Sequence, residues 1–241
     1  MADTDETTGR NQGGIRSYTA ERYERLVEHS TNEGLQSYME AEREFLASVE
    51  NASARTFVEL GAGHGRAMSL LAEVARNAIC VELNQDMLAE LRARGEQHPR
   101  VTVIDGDVQE LPSLLEGLDI VSPVVALLQN TLGTIEGDER RVRGAMKRVA
   151  ELNGGDVVLS LFRQGALGGW GMEMYEQLSE MIGEADPDRT NFQKGLFVSR
   201  TGYVSKWWTD EDLEEMKAFF GGQCVRDVVD PAFVILQLRP D

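Results

Sequence analysis

The segment Phe57-Val58-Glu59-Leu60-Gly61-Ala62-Gly63-His64-Gly65-Arg66 constrains this chain more than any other: a run of β-forming residues gives way to three alternating glycines. It reads as a strand that turns sharply under a ligand. Glycine has no Cβ, so the backbone at Gly61, Gly63 and Gly65 is free to take positive φ and approach a nucleoside closely. Ala67 to Ala75 reads as the helix that follows. A dinucleotide fingerprint needs a further glycine three residues after the second, for close approach of the helix to the pyrophosphate. That position is Arg66, which argues against a dinucleotide.

Downstream, apolar runs alternate with helical stretches. Thr56 to Leu60, Ala78 to Glu82, Val101 to Ile104, Val124 to Leu128 and Val157 to Phe162 read as five strands. Pro123 cannot donate to a central ladder, so the fourth strand is expected to begin after it. Strands joined by helical crossovers predict an α/β fold, a Rossmann-like parallel sheet with helices on both faces. Asp210 to Phe219 reads as a helix, and Cys224 to Val229 with Ala232 to Leu238 as a C-terminal antiparallel hairpin that closes the sheet. The expected organisation is a flexible polar tail over 1–14, N-terminal helices of a lid over 15–50, and one ligand-binding domain over 51–241 with an insertion near 164–208.

The acid two residues before Gly61, followed by G-x-G-x-G, resembles motif I of the class I S-adenosylmethionine (SAM) dependent methyltransferases. The resemblance extends from Thr56 to Gly133. It implies that Glu59, Gly61, Gly63 and Gly65 face the cofactor's methionine part. Glu82 ends the second strand at the carboxyl edge of the sheet, where a carboxylate can accept both ribose hydroxyls; a helix-capping or solvent-facing acid is the competing reading. In Val101-Thr102-Val103-Ile104-Asp105-Gly106-Asp107-Val108, Asp107 and the Val108 backbone match the adenine-contacting element best, with Asp105 or a plain turn as alternatives. Strand four ends in Leu127-Leu128-Gln129-Asn130-Thr131-Leu132-Gly133. The resemblance implies that Gln129 and Asn130 face the sulfur and the acceptor, although a polar loop capping the next helix fits as well. Asn130-Thr131 looks like the Asn-Ser element of small-amine N-methyltransferases.

An insertion after strand five commonly forms the acceptor lid in this family, and Tyr175, Trp207 and Trp208 are its candidate ring contacts to a sulfonium or ammonium. The alternative is that these rings merely cover the core. His64 lies within the glycine loop but is not expected to act as a base. The implied function is methyl transfer from SAM to a small-molecule acceptor, with an amine favoured over oxygen. Two alternatives stand beside it: a SAM-consuming cyclase that forms azetidine-2-carboxylate and releases methylthioadenosine, and a SAM-binding regulatory module without turnover.

Charge narrows the partners. With 41 acids against 24 bases and a net charge of -17, docking on a nucleic-acid backbone is unfavourable. An acidic, lysine-poor surface also fits a saline environment. Cys80 and Cys224 lack metal-site spacing and are expected to be buried free thiols, so no metal site is expected. No apolar run is long enough to span a membrane and no secretory signal is visible, so a cytoplasmic location is expected. The oligomeric state is not readable from the sequence.

Overall fold

A computed structural model describes residues 19–135 and 137–240; the tail expected over 1–14 lies outside the described residues. Seven strands form one sheet in the order β3-β2-β1-β4-β5-β9-β8. β1 (Thr56–Leu60), β2 (Asn77–Glu82), β3 (Val101–Asp105), β4 (Val124–Leu127) and β5 (Asp156–Phe162) are parallel, while β9 (Phe233–Arg239) lies antiparallel between β5 and β8 (Gln223–Val229). The central strands are buried on both faces, which explains their continuous apolar runs. β4 begins directly after Pro123, whose carbonyl accepts from the Asp156 N–H at 2.8 Å, so the proline stays out of the ladder.

The helices are α1 (Ala20–Tyr23), which continues as a π-turn over Glu24–Glu28, α2 (Glu33–Ala47), α3 (Met68–Val74), α4 (Gln85–Gly95), α5 (Leu111–Leu114), α6 (Glu139–Asn153), α7 (Met172–Gln177), α8 (Ser179–Ile182) and α9 (Asp210–Phe219). Their starts are written locally. Asn32 accepts from the Leu35 N–H ahead of α2, Asn84 from the Asp86 and Met87 N–H groups ahead of α4, and Thr209 forms a reciprocal capping box with Asp212 ahead of α9.

Strand alternation divides the core. Phe57, Ala126, Val158 and Ile235 face one layer with α2, α3 and α7, whereas Val58, Val125, Leu159 and Leu236 face the other with α6 and α9. The segment after β5 is more regular than its sequence implies, because it contains a separate hairpin, β6 (Leu196–Val198) and β7 (Val204–Lys206). One expectation is corrected: Cys80 is buried on β2, but Cys224 is exposed, since it lies on the edge strand β8.

At the far end of the sheet from the glycine turn, fully buried Asp156 accepts from Arg55, Gln237 and Arg239 at 2.6–2.8 Å. Burial alone would raise the Asp156 pKa, but the hydrogen bonds from Arg239, Arg55 and Gln237 outweigh it and hold the carboxyl below its usual range. With the folded pKa below the unfolded one, this contribution is complete above about pH 4 and is lost as the pH falls through the folded value. Asp156→Asn is expected to cost about 3 kcal/mol at pH 7 by leaving Arg55 buried without its anion. Urea melts of variant and parent should converge below about pH 4; a constant gap down to pH 3 would contradict the ion-pair account.

Candidate functional site

A cavity of about 250 Å³ opens at the carboxyl ends of β1, β2, β4 and β5, beside the point where the chain leaves β1 for β2 on one side and β4 takes the other. Ligands bind at such a switch point in open α/β sheets. Glu59, Gly61, Gly63, Glu82, Asp107, Val108 and Gln129 line one end of it. Gly61 has φ +64°, and a Cβ there would come within 2.8 Å of the Thr131 methyl, while a Cβ on Gly63 (φ +58°) would meet nothing within 4 Å. The first glycine therefore serves the turn against Thr131, and the second leaves room for a ligand. Gly65 is corrected as a cavity residue: its missing side chain would strike Leu91 and Met68, so it seats the loop on α4 instead.

Glu82 is not a solvent-facing acid. Its Oε2 accepts from the Gly63 N–H (2.8 Å) and its Oε1 from the Leu83 and Asn84 N–H groups (2.8 and 2.7 Å), so one carboxylate joins the turns after β1 and β2. Of the two acids after β3, Asp107 lines the cavity and caps the short 3₁₀ turn over Val108–Glu110, whereas Asp105 faces Gln85 and Arg92 at the surface.

Sequence reasoning missed Glu42. Its carboxylate, buried on α2, accepts from the Gln129 N–H at 2.6 Å and from Arg66 of the glycine turn. Gln129 has φ +49°, and its Nε2 is buried with no hydrogen-bond partner. The signal was available: Glu42 lies on the apolar stripe Leu35, Tyr38, Phe45, Leu46 of α2, where an acid needs a buried partner. Glu59 is buried with the Cys80 thiol 3.9 Å away. Burial pushes its carboxyl up to about 7 against the pull of Arg66, and the Glu42 and Glu82 carboxylates push the same way. His64 is buried against the Tyr23 ring (centroids 5.1 Å apart), with Nε2 3.2 Å from Glu28 Oε1.

The other end of the cavity is apolar. Val27, Leu35, Leu128, Phe162, Met174, Leu178, Met181 and Ile182 line it with Tyr175 and Tyr203, so the N-terminal helices and the segment after β5 both contribute wall. Tyr175 stacks on Phe197 at 3.7 Å and accepts from the Trp207 Nε1–H at 2.7 Å. Burial pushes its phenol well above the ordinary value, so it is a hydrogen-bonding group rather than a base.

Three expected contacts are corrected. Trp207 and Trp208 are both buried, but in the two opposite core layers, because consecutive residues of an extended segment point to opposite sides; neither lines the cavity. Asn130 is fully buried with φ +54°, also behind the wall. Its Oδ1 accepts from the Phe162 N–H and the Trp208 Nε1–H, and its Nδ2 donates to Ser205 Oγ and the Lys206 carbonyl. It is a latch between the sheet and the β6–β7 hairpin. Asn130→Ala is expected to cost about 3 kcal/mol through the orphaned partners, read as an earlier thermal melt. Parent-like melting combined with lost turnover would return Asn130 to the reaction.

Residues 57–153 match the family model described as "Methyltransferase domain". Ribosomal RNA small subunit methyltransferase A of Acidobacterium capsulatum is 39% identical over 66 residues, which are 27% of this chain; the chain spans only 23% of that relative's length. Among solved structures, the CcbJ methyltransferase from Streptomyces caelestis aligns at TM-score 0.57 and 18% identity over 86% of this chain and 90% of that one. The PH0226 protein from Pyrococcus horikoshii aligns at 0.62 and 16%, over 88% and 93%. Magnesium protoporphyrin IX methyltransferase from Synechocystis, with bound S-adenosylhomocysteine (SAH), aligns at 0.56 and 14%, over 92% and 93%. At such identities the structural likeness establishes the shared fold. The match to a methyltransferase domain over residues 57–153, the glycine turn and the strand order together give this chain the Rossmann-like fold of the class I SAM-dependent methyltransferases.

Proposed function

We propose that this chain transfers the methyl group of SAM to a small-molecule acceptor, with an amine nitrogen favoured over oxygen. The observation that carries this reading is a single cavity with a polar end on the loops after β1, β2 and β3 and an apolar end without a carboxylate, imidazole or ammonium among the described residues. Bound SAM supplies a methyl group already activated on a sulfonium. At the polar end Asp107 and the Val108 backbone take the adenine edge. Glu82 takes the ribose, since three N–H donors leave it about one of its four lone-pair positions. Glu59 takes the α-ammonium, and the orphaned Gln129 Nε2 supplies a donor.

The apolar end aligns the nucleophile and excludes water. An alcohol or phenol acceptor needs a base to remove its proton, and no such group lines this end. A neutral amine brings its own lone pair, with Tyr175 to orient it. The apolar wall of Leu35, Met174, Leu178, Met181 and Ile182 favours a second, apolar-bodied substrate over a cyclase, which needs SAM alone. The acidic surface favours a small molecule over RNA, as does the small-molecule substrate named for the Synechocystis relative.

An ammonium beside Glu59 favours its ionised form and lowers its pKa, so SAM binding near pH 6.5 is expected to release up to one proton. Affinity should rise with pH until Glu59 is ionised in the free protein, near 7. Calorimetry in buffers of different ionisation enthalpy measures the release, which Glu59→Gln should abolish; unchanged release in the variant would assign the proton elsewhere. The reaction itself is tested by mass spectrometry of SAM incubated with the protein alone and with an amine panel. Amine-dependent SAH is the expected product. Methylthioadenosine without any amine would favour the cyclase, and binding without product the regulatory module.

A further inference from the structure

Resting on the methyl-transfer reading, we infer that the acceptor is an uncharged, apolar-bodied amine that enters the cavity as the free base, and that acceptors carrying a carboxylate or phosphate are rejected. The inference comes from what the acceptor end contains. Leu35, Phe162, Met174, Leu178, Met181 and Ile182 supply its surface, drawn from α2, β5, α7 and α8. The acidic and basic side chains that line the cavity, namely Glu59, His64, Arg66, Glu82 and Asp107, come from the last residues of β1 and β2 and the turns after β1 and β3, which form its polar end. Arg66 is already paired with Glu42, and Arg25 with Glu180 through two hydrogen bonds of 3.2 and 2.6 Å. The Tyr175 oxygen is held by the Trp207 indole.

A carboxylate or phosphate on the acceptor would therefore give up its water with no cationic side chain at that end to replace it, and an ammonium would give up its water with no anionic side chain while also facing the sulfonium charge. Desolvation instead favours the neutral amine. Its lone pair forms the N–CH3 bond as the C–S bond breaks with its electron pair left on sulfur, and the methylated ammonium then loses a proton to water. Selection falls on two properties at once, an apolar body and an amine that is neutral at the working pH. At pH 7 only about one in 2,500 molecules of an alkylamine with a lysine-like pKa is neutral, so an arylamine has the advantage there. The wall methionines Met174 and Met181, flexible and polarisable, suit a flat or branched apolar body.

The test uses the full chain saturated with SAH, titrated calorimetrically with 4-ethylaniline, 4-aminobenzoate and cyclohexylamine, alongside turnover of the same amines with SAM. 4-Ethylaniline is expected to bind at least tenfold more tightly than 4-aminobenzoate at pH 7. The apparent affinity of cyclohexylamine should rise about tenfold per pH unit from pH 7 to 9, while that of 4-ethylaniline stays flat. Equal or tighter binding of the carboxylate, a flat cyclohexylamine profile, or no binding of any of the three overturns the inference. Binding in the expected order without SAH formation supports the occupant's class and overturns methyl transfer to it, so the two failures are separable.

Discussion

The buried carboxylate of Glu42 holds three parts of this molecule in one place. It reaches from α2 to the Arg66 guanidinium of the glycine turn and to the Gln129 N–H after β4. A buried acid without partners is strongly unfavourable, so α2 docks in the one position where both are met. That docking brings Leu35 to the cavity wall and presses Tyr38 against Ser160 and the Asn130 N–H. The backbone at Gln129 and Asn130, held at positive φ, is thereby fixed from the helix side.

The two ends of the cavity follow from two kinds of construction. Parallel strands end in turns that are polar because their N–H groups need acceptors, and Glu82 and Asp107 supply them. The apolar end is made by helices and a hairpin laid over the sheet edge, whose buried faces are hydrophobic because they pack. Asn130 joins the two by tying the end of β5, Trp208 and β7 to the loop after β4. The tryptophans stabilise the insertion from opposite sides of the sheet, and the reacting end is left to Tyr175, Tyr203, Phe162 and the methionines.

The five parallel strands, the closing hairpin and α9 were legible because uninterrupted apolar runs, Pro123 and Asp230-Pro231 mark their limits. The polar end was legible for the same reason: Glu59, Gly61, Gly63, Glu82 and Asp107 lie at strand ends, where chain position alone decides what they face. Residues outside that rule were not. Asn130 and Trp208 look like ligand contacts in one dimension, but they bond to each other, a pairing 78 residues apart that no local pattern encodes. Glu42 was hidden among Glu40 and Glu44, and only its place on the apolar stripe of α2 distinguishes it. The β6–β7 hairpin has three-residue strands, too short for alternation to register.

A crystal structure with SAH tests the account most directly. The adenine is predicted beside Asp107 and Val108, one ribose hydroxyl on Glu82, the amino acid part over Gly61 to Gly63 near Glu59, and the sulfur directed toward Leu128, Phe162 and Tyr175. SAH bound outside this cavity, for example in a second depression lined by Met39 and Arg43 of α2 and Ser69 and Leu70 of α3, or in the cavity with its sulfur turned away from the apolar end, would contradict it.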